Sequence, residues 1–168
     1  MRWYFIDRIM SCQPGEKIHG IKSFTRSEMF FMDHFHGHPV VPGVLQIEMI
    51  ATTGGKCLKI HNPHTLPMLV KVENAKFHRS VKPGDQCHIY VEITTIRETY
   101  AKASGRVEVD GVKVCEAQIM FTIQPATIGD TAWKDPVIAE WQAIQDSGPT
   151  GAKGILSPQT PVQGERKS

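Results

Sequence analysis

The sequence has no apolar run long enough to cross a membrane, no block of like charge and no closely spaced pair of cysteines. Each absence removes a class of function. A helical span needs about 20 consecutive apolar residues, so no membrane span is expected. With 19 Lys and Arg against 17 Asp and Glu, the net charge is only +2, and nothing resembles the basic stripe that binds nucleic acid. Cys12, Cys57, Cys87 and Cys115 form no CxxC or CxxH pattern, which argues against a zinc knuckle or a dithiol redox motif and suits a reducing cytoplasm. The apolar start "MRWYFIDRIM" is broken by Asp7 and Arg8 too early for a signal peptide, so a soluble, unexported, cytoplasmic protein is expected.

What is present fits one domain with a tail. A chain of 168 residues can bury one core and little more. From Pro125 onward it holds 5 of its 11 prolines and 5 of its 14 glycines, too little apolar surface to offset the entropy of ordering the far end. This predicts a body over residues 1–124 and an extension over 125–168 whose end is disordered. Within the extension, Asp135 as cap and Pro136 at the first position predict a short helix over about 135–146, with Val137, Trp141 and Ile144 on one face and Gly148 as its stop.

The body reads as α+β. "CHIYVEITTI" and the alternation of Ala101, Ala103, Val107 and Val109 with polar neighbours predict antiparallel strands. Asp110-Gly111 supplies a two-residue hairpin turn. The next strand changes apolar parity between Val114 and Cys115, which predicts a β-bulge there. Further strands are expected at "WYFIDRI", "EKIHGIKSFT" and "PMLVKVENAKFHRSV". Pro42 to Ile60 reads as one helix whose first turns are apolar nearly all round, so an antiparallel sheet wrapped about a single buried helix is the expected architecture.

Chemistry concentrates in "FFMDHFHGHPVVPGVLQIEMIA", residues 30–51. Glu48 is the lone acid in an apolar helix, where burial favours the protonated, donating form of a carboxyl. His34 stands 14 residues upstream, and an imidazole accepts protons near neutral pH. The N–H groups of Gly43 and Val44 at the helix start suit a carbonyl oxygen that gains charge. A base, an acid and an oxyanion donor are therefore candidates. Each also has a plainer reading: Glu48 paired with Lys56 or reaching solvent, His34 bonded at a loop corner, Pro42-Gly43 an ordinary turn. His34, His36 and His38 would share one side of an extended strand and offer a metal site with Asp33 or Glu48, but Gly37 and Pro39 interrupt that geometry, and no metal is assigned.

The Phe pair, His34-Phe35, the spaced Gly37 and Pro39, Pro42-Gly43-Val44-Leu45 and the acid at 48, with "YFIDRI" and "AKFHRSVKPGD" flanking, resemble the β-hydroxyacyl–acyl carrier protein dehydratases of the FabZ and FabA type over about residues 3–123. The resemblance implies a hotdog fold and at least a homodimer, with a trimer of dimers left open, whose active sites lie at the interface. It implies that His34 of one protomer faces Glu48 of the other, that His34 takes the α-proton of a 3-hydroxyacyl thioester, that Glu48 protonates the departing hydroxyl and that the Gly43 N–H holds the carbonyl. No cofactor is implied, an apolar tunnel beside the helix should hold the acyl chain, and the partner is an acyl carrier protein. Because such carriers are acidic, Lys76, Arg79 and Lys82 are candidates for a docking rim.

The chain departs from the family pattern at Asp33, His36 and Thr52, the last standing where a glutamine is common. Glu48 in place of Asp is similar to the dehydratase branch without isomerase activity. A hotdog thioesterase and a non-catalytic hotdog partner subunit are the rival readings.

Overall fold

The computed structural model describes residues 4–127 and 134–147. Strands β1 (Arg8–Gln13) and β2 (Lys17–Ser23) come first, and a short 3-10 turn over Met29–Met32 leads to helix α1 (Gly43–His61). Four strands follow: β3 (Thr65–Phe77), β4 (Gln86–Ile96), β5 (Tyr100–Val109) and β6 (Val112–Pro125). Helix α2 (Pro136–Asp146) comes last. All six strands form one antiparallel sheet in the order β1-β2-β4-β5-β6-β3.

The sheet curls around α1, the hotdog arrangement. Burial alternates strictly along β5, where Ala101, Ala103, Gly105, Val107 and Val109 point inward. Cys87, Ile89 and Val91 of β4 and Phe121 of β6 join them against Met49, Ile50, Cys57 and Leu58 of α1. Gly105 lies directly under the helix: a Cβ there would stand 2.2 Å from Ile50 Cγ2, so only glycine lets the two backbones approach this closely. The hairpin turn is Asp110-Gly111, both at positive φ, and Val109 pairs with Val112. The bulge falls at Val114: Val107 pairs with Cys115 and Glu108 with Lys113, so Val114 and Cys115 both point into the core.

Three expectations are corrected. The first strand begins at Arg8, not within "WYF"; Trp3 lies outside the described residues. Among the described residues helix α1 is not covered all round: the sheet encloses it from Met49 onward and leaves Val44 70% exposed and Leu45, Ile47 and Glu48 half-buried. Helix α2 packs through Val137, Ile138 and Trp141, while Ile144 faces solvent. The stop at Gly148 and the far end of the extension fall outside the described residues.

Helix α2 rests on β1 and is tied to α1 by charge. One Asp135 carboxylate oxygen accepts from the N–H groups of Val137 and Ile138 at 3.0 and 3.2 Å, and the other pairs with the buried Lys56 ammonium. Among the described residues no helix is long and apolar enough to cross a membrane.

Candidate active site

The segment that carries His34 is pinned at both ends. Phe31 is buried, and Phe30 packs edge-on against the buried Phe24 ring, which anchors the 3-10 turn. The His34 N–H donates to the Phe30 carbonyl at 2.9 Å, and the His34 carbonyl accepts from the Val40 N–H at 2.8 Å. Between them the "FHGH" tip closes on itself through reciprocal bonds between Phe35 and His38, at 3.0 and 2.9 Å. The half-buried His34 ring stacks on Phe35 with centroids 4.1 Å apart, whereas His36 and His38 are exposed. Among the described residues no three His, Cys, Asp or Glu side chains gather closely enough to hold one metal ion.

Beyond this loop Val41 bonds through its N–H to the Val81 carbonyl at 2.8 Å, which fixes the approach to α1. Pro42 occupies the cap position, and no side chain caps the helix or places an acid in its first turn. The N–H groups of Gly43 and Val44 take no acceptor among the described residues, so the positive end of the helix dipole stands open. The Phe77 ring covers the other side of Gly43, 3.0 Å from where a Cβ would stand. A Cβ at that position would press on the ring, which would have to give by a few tenths of an ångström.

Glu48 lies five residues into the helix, about 7 to 8 Å along its axis from Gly43. Its Oε1 accepts a hydrogen bond from the Thr52 hydroxyl at 2.8 Å. Lys56, the cation considered as its structural partner, is committed to Asp135 instead. Among the described residues neither a hydrogen bond nor an ion pair joins Glu48 to His34 within one chain.

The three rim candidates divide. Arg79 and Lys82 are exposed on the segment that carries Val81 and so flank the helix entrance, and neither forms an ion pair among the described residues. Lys76 is placed differently. Because Phe77 points at Gly43, its neighbour on the strand points the other way, and Lys76 lines a small hollow of about 290 Å³ with Asn74, Glu116 and Gln118 on the outer face. Cavities of about 540 Å³ open on the outer face around His19, Tyr90 and Arg106 and, at the C-terminal end of α1, beside Asn62 and Ile96; neither is lined by His34 or Glu48. The expected acyl tunnel is not among these cavities. Burial pushes the Cys87 thiol up to about 12 and the Cys115 thiol up to about 11, so neither supplies a thiolate nucleophile near neutrality.

The profile of the FabA-like domain matches residues 2–118. The chain belongs to the FabA-like family. The 3-hydroxyacyl–acyl-carrier-protein dehydratase FabZ of Bacillus licheniformis is 38% identical over 120 residues, which span 70% of this chain and 83% of that protein. FabZ of Listeria monocytogenes serotype 4b is 39% identical over the same shares. Among solved structures, the dehydratase heterocomplex ApeI:P from Xenorhabdus doucetiae aligns with a TM-score of 0.61 at 14% identity, covering 77% of this chain and 87% of that one. The Streptococcus mutans protein smu.793, bound to acetyl CoA, aligns at 0.58 and 12%, covering 74% and 94%. These two likenesses show the fold. This FabA-like chain is therefore a hotdog enzyme of the FabZ dehydratase type.

The bond from Thr52 to Glu48 was not foreseen in the sequence, although the spacing of four residues on one helix carries that signal.

Proposed function

We propose that this chain removes water from 3-hydroxyacyl groups carried on an acyl carrier protein, giving trans-2-enoyl thioesters for fatty-acid or related lipid or polyketide synthesis. One observation supports the reading beyond family membership: the backbone that carries His34 is held at both ends, and α1, which carries Glu48, begins with N–H groups that take no acceptor among the described residues. His34 takes the proton from the carbon next to the thioester carbonyl. Charge moves onto the carbonyl oxygen, where the N–H groups of Gly43 and Val44 stabilise it. Glu48, directly or through a water, gives a proton to the departing β-hydroxyl, which leaves as water, and the double bond closes. The proton held by His34 then exchanges back to Glu48 through solvent.

The pair is completed by a second copy of the chain. Edge strand β3 exposes Met68, Leu69, Val70 and Val72, an apolar and unpaired edge of the kind monomeric proteins usually avoid. Val44 and Phe35, also exposed, lie beside the catalytic groups. A homodimer joined at β3 covers this surface, brings His34 of one protomer to Glu48 of its partner and closes the acyl slot between them; a trimer of dimers extends the same contact. Arg79 and Lys82 receive the acidic carrier. Four free cysteines agree with a cytoplasmic setting.

The test is incubation with a 3-hydroxyacyl carrier protein, with products resolved by mass spectrometry. A loss of one water from the acyl group supports the reading. Release of free acid with unchanged acyl mass supports a thioesterase and sinks it.

A further inference from the structure

The geometry points to Thr52 as a positioning residue that fixes which oxygen of Glu48 delivers the proton to the leaving hydroxyl. The inference rests on the dehydratase reading above. A threonine inside a helix usually gives its hydroxyl proton to the carbonyl one turn back. Here the Thr52 hydroxyl donates to the Glu48 carboxyl instead, with 2.8 Å between Oγ1 and Oε1. A hydroxyl has one proton to give, so this bond leaves none for the backbone.

The two oxygens of Glu48 are thereby made unequal. Oε1 serves as acceptor from Thr52, and when the carboxyl is protonated its own hydrogen sits on Oε2, because the carbonyl-type oxygen is the better acceptor. Oε2 is then the oxygen that faces the substrate, and the free rotation that would interchange the two is suppressed.

Within one chain, Thr52 is the hydrogen-bond partner of Glu48 among the described residues. Among the described residues Glu48 forms no ion pair, and Lys56 is spent on Asp135. One turn beyond the pair, Gly55 has open space around it: a Cβ built there would meet nothing within 4 Å. A half-buried glutamate at such a position samples several rotamers unless a specific bond selects one. The Thr52 hydroxyl is that bond, and holding the donor oxygen in place is worth rate and not affinity.

The experiment compares full-length wild type with Thr52→Val, Thr52→Ser and Glu48→Gln on 3-hydroxybutyryl carrier protein, with melting midpoints as a check on folding. Valine keeps the branched shape and loses the hydroxyl; serine keeps the hydroxyl. The expected result is a kcat about tenfold lower in Thr52→Val with KM within about twofold. Thr52→Ser should stay within about threefold of wild type, and Glu48→Gln should lose at least about a hundredfold. Wild-type kcat in Thr52→Val alongside an inactive Glu48→Gln overturns the assignment and leaves the dehydratase reading standing. Equal loss in the serine and valine variants also overturns it, since the hydroxyl is then not what matters. A wild type that fails to dehydrate the substrate overturns the dehydratase reading and this assignment together.

Discussion

The two ends of helix α1 live in different surroundings. From Met49 onward it is closed in: Met49, Ile50, Thr53, Cys57 and Leu58 are buried beneath the sheet, and even Lys56 is buried against Asp135. Its N-terminal turn is bare, with Val44 exposed and the N–H groups of Gly43 and Val44 unfilled. One part of the helix thus serves stability, and the other is the part that the proposed function assigns to a second chain and a substrate. An apolar residue left in water beside open hydrogen-bond donors marks a surface completed by something else.

The comparison is broken most severely at the bare end. His34→Ala and Glu48→Gln should each lower kcat/KM for dehydration by about a hundredfold or more, with little change in melting temperature. Full activity in either variant would remove that residue's assigned role. Next in size, Val70→Lys with Val72→Lys places charge along the β3 edge and should convert the dimer to monomer in light scattering, with activity falling at least about tenfold. A charged edge that still dimerises would show that the contact lies elsewhere.

At the enclosed end the effects fall on stability. Asp135→Ala strands the buried Lys56 ammonium and should cost about 3 kcal/mol in urea denaturation, while kcat stays near wild type. Lys56→Met removes the charge instead of stranding it and should cost clearly less. If the two variants lose equal stability, burial of the unpaired charge is not the cause. The smallest effect concerns pH. Burial first, and the adjacent His88 second, hold the His19 pKa below its ordinary value. The unfolded chain then binds the proton more readily, so this contribution to stability is present above a pH of about 6.5 and falls as the pH drops through it. His19→Asn should flatten that part of the stability curve, and an unchanged slope would count against the assignment.

Much of this was legible in the sequence where one periodicity dominates. The alternation along β5, the Asp110-Gly111 turn and the parity change at Val114 all follow from which side of a pleat meets the helix. Asp135-Pro136 marked the start of α2 because a cap followed by proline has few other uses. The misreadings share a cause: periodicity says that a face is apolar, not what covers it. The first turns of α1 are apolar and so read as enclosed, yet among the described residues nothing covers Val44. Lys56 stands about 12 Å along the axis from Glu48 and pairs with Asp135, while four residues bring Thr52 nearly above the acid. Ile144 shares a period with Val137 and Trp141, but α2 turns Ile138 inward instead and leaves Ile144 in solvent.

The most direct test of a site shared between two copies mixes two dead proteins. His34→Ala and Glu48→Ala, purified separately, unfolded and refolded together, form mixed dimers in which one of the two sites holds an intact His34 and an intact Glu48. The account predicts recovery to about a quarter of wild-type activity from random pairing. If mixed dimers form and activity stays at the level of the separate variants, the histidine and the glutamate do not meet across the interface.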